Sequence, residues 1–216
     1  MFSRPDFVNM DYNISESRTN IIVNKNEVDP LEHFGGILRY EQERRKWQNP
    51  ENVLAEIGLQ PGMTFMDVGC GQGFFTIPAA KIVGESGKVY ASDINQINVN
   101  KLREKVNAAG LMNVIIQTGK AEDLKLCEAC ADIIFFGIVL HDFQDPLKVL
   151  ANAHSMLKKP GKLVDLDWKK ELMEFGPPLN IRFSEEKAIQ LIELSGFKVQ
   201  KLKASGLYHY LIVANL

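Results

Sequence analysis

Seven residues constrain this chain most: Asp67-Val68-Gly69-Cys70-Gly71-Gln72-Gly73. Glycine at every second position lets the backbone turn sharply and approach a bound molecule closely. Ahead of the turn, Met63 to Val68 reads as a buried strand, and behind it Phe74 to Ile82 reads as a helix. A helix start at that point offers free N–H groups and a partial positive charge, which suits a small anion such as a carboxylate. A strand, a tight glycine turn and a helix in succession belong to an α/β fold.

The rest of the chain keeps that rhythm. Strands are expected at Lys88–Ser92, Val114–Gln117, Asp132–Phe136 and Lys162–Leu166. Between them lie a helix from Ile97 to Ala109, with Val99, Leu102, Val106 and Ala109 on its buried face, and a helix opened by Asp145 and Pro146. That second helix is expected to bury Val149, Leu150, Ala153 and Leu157 and to end on Lys158 and Lys159. Ser184 caps a further helix, stopped by Gly196. Then the rhythm breaks: Phe197–Lys203 and Tyr208–Ala214 are two strands joined only by a turn at Gly206, so they must pair antiparallel. The expected fold is a Rossmann-like, doubly wound, mostly parallel seven-stranded sheet with an antiparallel C-terminal hairpin. Its 216 residues, 45% of them hydrophobic, suit one domain. We place that domain at 49–216, starting with a helix that Asn49 caps ahead of Pro50. Residues 1–48 form an N-terminal helical cap or arm, polar to about Lys25 and helical in pattern from Pro30 to Trp47.

Four segments with chemical potential fall at the carboxyl ends of consecutive strands, where open α/β sheets bind ligands. The glycine turn is the first. Asp93, twenty residues after Gly73, is the second. An acid there accepts both hydroxyls of a ribose, although alone it reads equally well as a helix cap. Gly119-Lys120-Ala121-Glu122-Asp123-Leu124 offers polar groups to the edge of an adenine, or starts a helix. Phe136-Gly137-Ile138-Val139-Leu140-His141-Asp142 follows the fourth strand, and Gly137 permits close backbone approach.

From about Pro61 to Gly161 these segments resemble the core of class I S-adenosylmethionine-dependent methyltransferases, nearest the ubiquinone/menaquinone-biosynthesis group. Asp67 to Gly73 matches that family's D-x-G-x-G-x-G, and Asp93 its ribose-binding acid. Ala121–Leu124 matches the adenine-side segment, Leu140–Pro146 the L-H-x-x-x-D-P segment, and Lys159–Leu163 the lead into strand five. The resemblance implies S-adenosyl-L-methionine as cofactor and S-adenosyl-L-homocysteine as product. It implies that Gly69, Gly71, Gly73 and Gly137 set backbone against the methionine part. Asp67 would orient the turn and hold the amino group, Asp93 bind ribose, and Ala121 and Glu122 border adenine. Two positions depart from the pattern: Lys120 stands where Asp or Asn is common, and Lys162 replaces a glycine.

A methyl acceptor that must lose a proton needs a base, and His141 is the candidate, with Asp142 behind it; a structural loop histidine is the plainer alternative. Trp47, Tyr40 and Phe34 line an acceptor pocket or simply pack helices. Cys127 and Cys130 read as unpaired loop thiols, since no further ligands lie near them and three cysteines make an odd count. The four histidines show no metal-ligand spacing, so no metal is expected. A net charge of −2 gives no pull toward nucleic acid. Arg44, Arg45 and Lys46 read as a solvated helix face. No run is long enough to span a membrane, and no N-terminal apolar region marks export, so the expected setting is the cytoplasm with a small-molecule acceptor. The rivals are an NAD-dependent oxidoreductase, whose G-x-G-x-x-G would need glycine at Phe74, and a non-catalytic cofactor-sensing protein on the same fold.

Overall fold

In the computed structural model, residues 41–174 and 176–216 are described. Seven strands form one sheet: β1 (Thr64–Val68), β2 (Lys88–Asp93), β3 (Val114–Thr118), β4 (Ala131–Gly137), β5 (Leu157–Trp168), β6 (Lys198–Ser205) and β7 (His209–Asn215). Their spatial order is β3-β2-β1-β4-β5-β7-β6. The first five are parallel, and β7 runs antiparallel between β5 and β6. This is the doubly wound sheet with a terminal hairpin that the sequence implies. The helices are α1 (Pro50–Glu56), α2 (Thr76–Val83), α3 (Gln96–Ala108), α4 (Pro146–Met156) and α5 (Glu185–Leu194).

The central strand explains why the sheet is covered on both faces. Ile133, Ile134, Phe135 and Phe136 of β4 are all buried. Alternate side chains point to opposite faces. Ile134 and Phe136 join Met66, Leu150 and Ile192, on the side of α4 and α5. Ile133 and Phe135 join Phe65, Leu54 and Val83, on the side of α1 and α2. A strand apolar at every position can satisfy both faces only between two helical layers.

Local chemistry sets the helix starts. Asn49 accepts the Asn52 N–H at 2.8 Å, Asp145 accepts that of Lys148 at 3.0 Å, and Ser184 accepts that of Lys187 at 3.3 Å. Helical residues 41–47 precede α1. The part of the helical pattern before residue 41, with Phe34 and Tyr40, lies outside the described residues, as does the polar stretch to Lys25.

Several expectations need correction. Helix α2 begins at Thr76, two residues later than its pattern suggests, because residues 71–75 remain in turn conformation. Helix α4 stops at Met156: Leu157, Lys158 and Lys159 belong to β5, and Lys158 pairs with Asp132 at 2.9 Å. Ala109 is the exposed C-cap of α3 rather than part of its buried face. Arg44 is not simply solvated. Its guanidinium lies 3.9 Å from the centre of the Phe74 ring, and its Nε donates to Gln48 at 2.8 Å, whereas Arg45 and Lys46 pair with Glu51 and Glu43 at the surface. Cys127 and Cys130 are joined in a disulfide. Left-handed backbone at Ala129 (φ 43°) folds the C-x-x-C segment back on itself and leaves the two Cα atoms 6.0 Å apart.

Truncating a side chain between the layers should be costly, and truncating an exposed one should not. Ile134→Ala is expected to lose about 2–5 kcal/mol in urea unfolding, whereas Met112→Ala, at 95% exposure, should stay within about 0.5 kcal/mol of the parent.

Candidate active site

The order of the sheet reverses beside β1, with β2 on one side and β4 on the other, and this switch point is where a crevice opens at the carboxyl ends of the strands. Backbone hydrogen bonds place the glycine turn there. Both Gly69 and Cys70 donate N–H groups to the Ser92 carbonyl, at 2.8 and 2.9 Å. Gly71 donates its N–H to Asp93 Oδ2 at 2.8 Å, and Asp93 Oδ1 accepts the Asn95 N–H at 2.8 Å. The Asp93 carboxylate thus ties the turn to the end of β2. Each of its oxygens keeps a second lone pair, and the residue lines the cleft.

The glycines do different work. A Cβ on Gly73 (φ +90°) would overlap Leu102 of α3, so this position is bare for packing. A Cβ on Gly71 (φ +54°) would meet nothing within 4 Å. Gly137 closes β4 where a Cβ would overlap Phe135 and press on Phe75. Beyond it the chain enters left-handed backbone at Ile138 (φ 63°), a strained conformation for a β-branched residue, held by its N–H bond to the Leu166 carbonyl at 2.7 Å.

The cleft measures about 310 Å³, within the range of small-molecule sites. Of the residues singled out from sequence, Gly69, Asp93, Ala121 and Glu122 line it. Val139, Asp142 and Phe143 line it too. Gly71 and Gly73 belong to the same turn, Gly137 ends the adjacent strand, and Asp67 and His141 stand behind the wall. Glu122 Oε1 accepts the N–H groups of Gln144 and Asp145, at 3.1 and 3.2 Å, and so latches one wall to the other. Asn152 of α4 donates to the carbonyls of Ala121 and Glu122, at 3.2 and 2.9 Å.

Asp67 is buried and accepts the Thr76 hydroxyl at 2.6 Å, which fastens the start of α2 to β1. Burial raises its pKa, the Thr76 hydrogen bond opposes that, and the Asp93 charge adds to it; the carboxyl is pushed up to about 7.

At the end of β5 the structure joins the sequence candidates His141 and Asp142 to Asp167, which the sequence did not single out. His141, whose side chain is 2% exposed, sets Nδ1 2.8 Å from each carboxylate oxygen of Asp167, itself buried. On the other side of the ring, Nε2 lies 3.3 Å from Asp142 Oδ1. Burial lowers the His141 pKa, but the Asp167 hydrogen bond and the charges of Asp167 and Asp142 outweigh it, and the net shift is upward. One clue was present: Asp165-Leu166-Asp167 places two acids on one face of a buried strand. Trp47, a candidate pocket residue, packs instead on Trp168 and stacks on the His209 ring at 5.4 Å. Burial, with the charges of Arg44, Lys169 and Arg182, lowers His209 to about 3.

Sheet order, switch-point cleft and glycine turn together define a class I methyltransferase fold, and the chain belongs to the methyltransferase domain family, which it matches over residues 59–201. It is 36% identical to a SAM-dependent methyltransferase from Aquifex aeolicus of known crystal structure, with a TM-score of 0.78 over 83% of this chain and 96% of that one. Among curated proteins it is 33% identical to a demethylmenaquinone methyltransferase of Geobacillus stearothermophilus, over 56% of this chain and 51% of the relative. It is also 33% identical to the ubiquinone/menaquinone biosynthesis C-methyltransferase UbiE of Vibrio cholerae, over 54% of this chain and 45% of the relative. The chain thus spans about half the length of the curated relatives it matches. S-adenosylmethionine is the cofactor this fold and family imply, and the site fits it. A bare Gly71 stands beside open space, and a carboxylate with spare lone pairs borders a cleft of suitable size.

Two outcomes follow. Gly73→Ala should cost more stability in urea than Gly71→Ala, about 2–4 against about 1 kcal/mol, because overlap with Leu102 adds to the backbone strain that both share. Asp67 ionises near its ordinary 3.8 in the unfolded chain and near 7 in the fold, so the folded state binds more protons between these values and stability falls as pH rises through them. Unfolding measured at about pH 4 and about pH 8 should therefore show the parent losing stability relative to Asp67→Asn as the pH rises; a constant difference would contradict the raised value.

Proposed function

We propose that the protein is an S-adenosylmethionine-dependent methyltransferase acting on a small-molecule acceptor. The observation that carries this is the Asp93 carboxylate, which both closes the glycine turn through Gly71 and borders the cleft. When bound, S-adenosylmethionine supplies a methyl group already activated on a sulfonium, and it leaves as S-adenosylhomocysteine. The chain's own task is then to hold two molecules in line and keep water away.

Asp93 accepts the ribose hydroxyls. Gly69, Gly71 and Gly73 bring backbone to the methionine part, with Asp67 fixing the turn from behind and its amino-group contact part of the same proposal. Ala121 and Glu122 border the adenine, and Gly137 offers backbone beside the methionine. The division into an N-terminal cap or arm at 1–48 and a cofactor-binding domain at 49–216 belongs to the same proposal. The curated relatives are named for methylation of quinone precursors, which supports a small ring acceptor here. A cytoplasmic setting and the absence of a nucleic-acid partner belong to the same proposal.

Phe74 in place of the third glycine of a dinucleotide fingerprint, together with the family match, disfavours NAD chemistry. A non-catalytic, cofactor-sensing protein on the same fold is the second reading, since a fold does not fix a reaction.

Thermal-shift titration separates these readings. S-adenosylhomocysteine at about 100 times its Kd should add about 2.7 kcal/mol, with a matching rise in Tm, while NAD adds nothing. Asp93→Asn should weaken that binding about ten- to hundredfold in calorimetry, the loss of a charged hydrogen-bond acceptor. Labelled methyl transfer to 1,4-naphthohydroquinone and a panel of phenols then tests turnover. Stabilisation by NAD alone would refute the proposal, and binding without turnover across the panel would favour the second reading.

A further inference from the structure

We propose that Asp142, His141 and Asp167 form one proton-accepting unit at the methyl-transfer site: Asp142 takes the acceptor's proton, His141 shares it, and Asp167 positions the His141 ring. This rests on the methyltransferase function proposed above and adds to it the class of acceptor, one whose reacting atom carries a proton that must be removed.

Access decides which group meets the acceptor. The Asp142 side chain is 57% exposed and lines the same cleft as Gly69 and Asp93, whereas the His141 side chain is only 2% exposed. A molecule in the cleft therefore reaches the carboxylate and not the ring. Contact between the two carries the effect inward, with His141 Nε2 3.3 Å from Asp142 Oδ1 and His141 Nδ1 2.8 Å from both oxygens of Asp167.

Asp167 cannot swing away. It is buried, its Oδ1 accepts the Trp168 N–H at 2.7 Å, and its backbone lies opposite Tyr210 in the β5–β7 pairing. A carboxylate only accepts, so Nδ1 carries the hydrogen and the second nitrogen is the one that faces Asp142. At 3.3 Å, Nε2 and the Asp142 carboxylate interact by charge, close enough for a proton to pass between them after a small turn of the exposed Asp142 side chain. The titration of His141 and Asp142 belongs to both groups together, and the pair acts as a base in the form in which neither Nε2 nor the Asp142 carboxylate carries a proton.

The surrounding charges favour this arrangement. Asp165 sits on the same face of β5, fully buried, with both oxygens lacking a donor in hydrogen-bond geometry among the described residues. Burial and the Asp167 charge hold its pKa well above the usual carboxylate range, against the Tyr210 hydroxyl. Burial and the nearby Asp165 and Asp167 push the Tyr210 hydroxyl up as well, so it adds no charge. Arg182 is the opposing cation, lowering the His141 pKa, and it is outweighed by Asp167 and Asp142. Asp142 itself is raised by burial and by Asp167, against the His141 charge.

In the step, the acceptor's X–H bond breaks and its proton goes to Asp142. The electron pair left on X forms the new bond to the methyl carbon, and the carbon–sulfur pair stays on sulfur as a neutral thioether. The proton then passes from Asp142 to Nε2, leaving an imidazolium beside two carboxylates.

The test uses the ligand-free full chain with 15N-labelled histidine. Ring-nitrogen NMR should show the Nδ1–H tautomer for neutral His141 and a titration midpoint above its ordinary 6.5. Asp142→Asn and Asp167→Asn should each lower that midpoint, while calorimetry of Asp167→Asn with S-adenosylhomocysteine stays unchanged. In methyl transfer to 1,4-naphthohydroquinone, Asp142→Asn should reduce kcat about hundredfold with little change in KM. Asp167→Asn should move the pH profile downward. A merely structural role for either acid would leave the profile in place. Because Asp142 is half exposed, Asp142→Asn keeps the test decisive if the buried Asp167 variant fails to fold. A His141 midpoint indifferent to Asp142→Asn, in a protein that still binds S-adenosylhomocysteine, overturns the proposal. Failure of the parent to bind S-adenosylhomocysteine would instead overturn the methyltransferase reading.

Discussion

The Asp93 carboxylate accepting the Gly71 N–H is the bond on which the ligand-binding end of this molecule depends. It exists only because β1 and β2 lie side by side and parallel, with Val68 opposite Ser92, so that the turn after one strand meets the acid ending the next. The Ser92 carbonyl adds two further bonds to the same turn. Backbone donors that would otherwise need water are thereby satisfied within the protein, and the turn is held in shape before any ligand arrives. Such preorganisation matters for methyl transfer, where alignment of two bound molecules supplies much of the rate.

Negative charge is concentrated at this end of the sheet, and the fold manages it in three ways. Asp67 is buried against the Thr76 hydroxyl and held near neutral pH in its titration. Asp165 is fully buried, and burial with the Asp167 charge raises its pKa well above the usual carboxylate range. Asp167 faces the His141 ring, a partner that can carry positive charge. An ionised carboxyl without such a partner would be expensive in the interior, so these different environments allow the acids to coexist. On the opposite face, His209 is kept neutral between Trp47 and Trp168, where it acts as a packing ring.

The fold was legible because hydrophobic pattern and punctuation agreed. A short run apolar at every position, Ile133 to Phe136, rich in β-branched and aromatic residues, fits a strand covered on both sides. Asn49, Asp145 and Ser184 marked helix starts through their own side chains. Errors came where tertiary contacts overrode local preference. Lys158 and Lys159 suit a helix end by charge, yet Asp132 and the pairing with β4 draw this stretch into β5. Arg44 looked like a surface charge until Phe74 came beneath it. Cys127 and Cys130 looked unpaired because no local pattern announces left-handed backbone at Ala129.

By itself the sequence determined the alternation of strand and helix, the glycine turn and the acid that follows the second strand. Each is written in residues close together along the chain, where spacing and backbone freedom speak directly. Only the tertiary structure decided that His141 lies between Asp142 and Asp167, or that Glu122 latches Gln144 and Asp145 across the cleft. His141 and Asp167 are 26 residues apart, on different elements, and meet because β5 pairs with β4 in one register. A histidine's neighbours, and with them its proton affinity, are set by that packing and by no feature of the residues beside it in the chain.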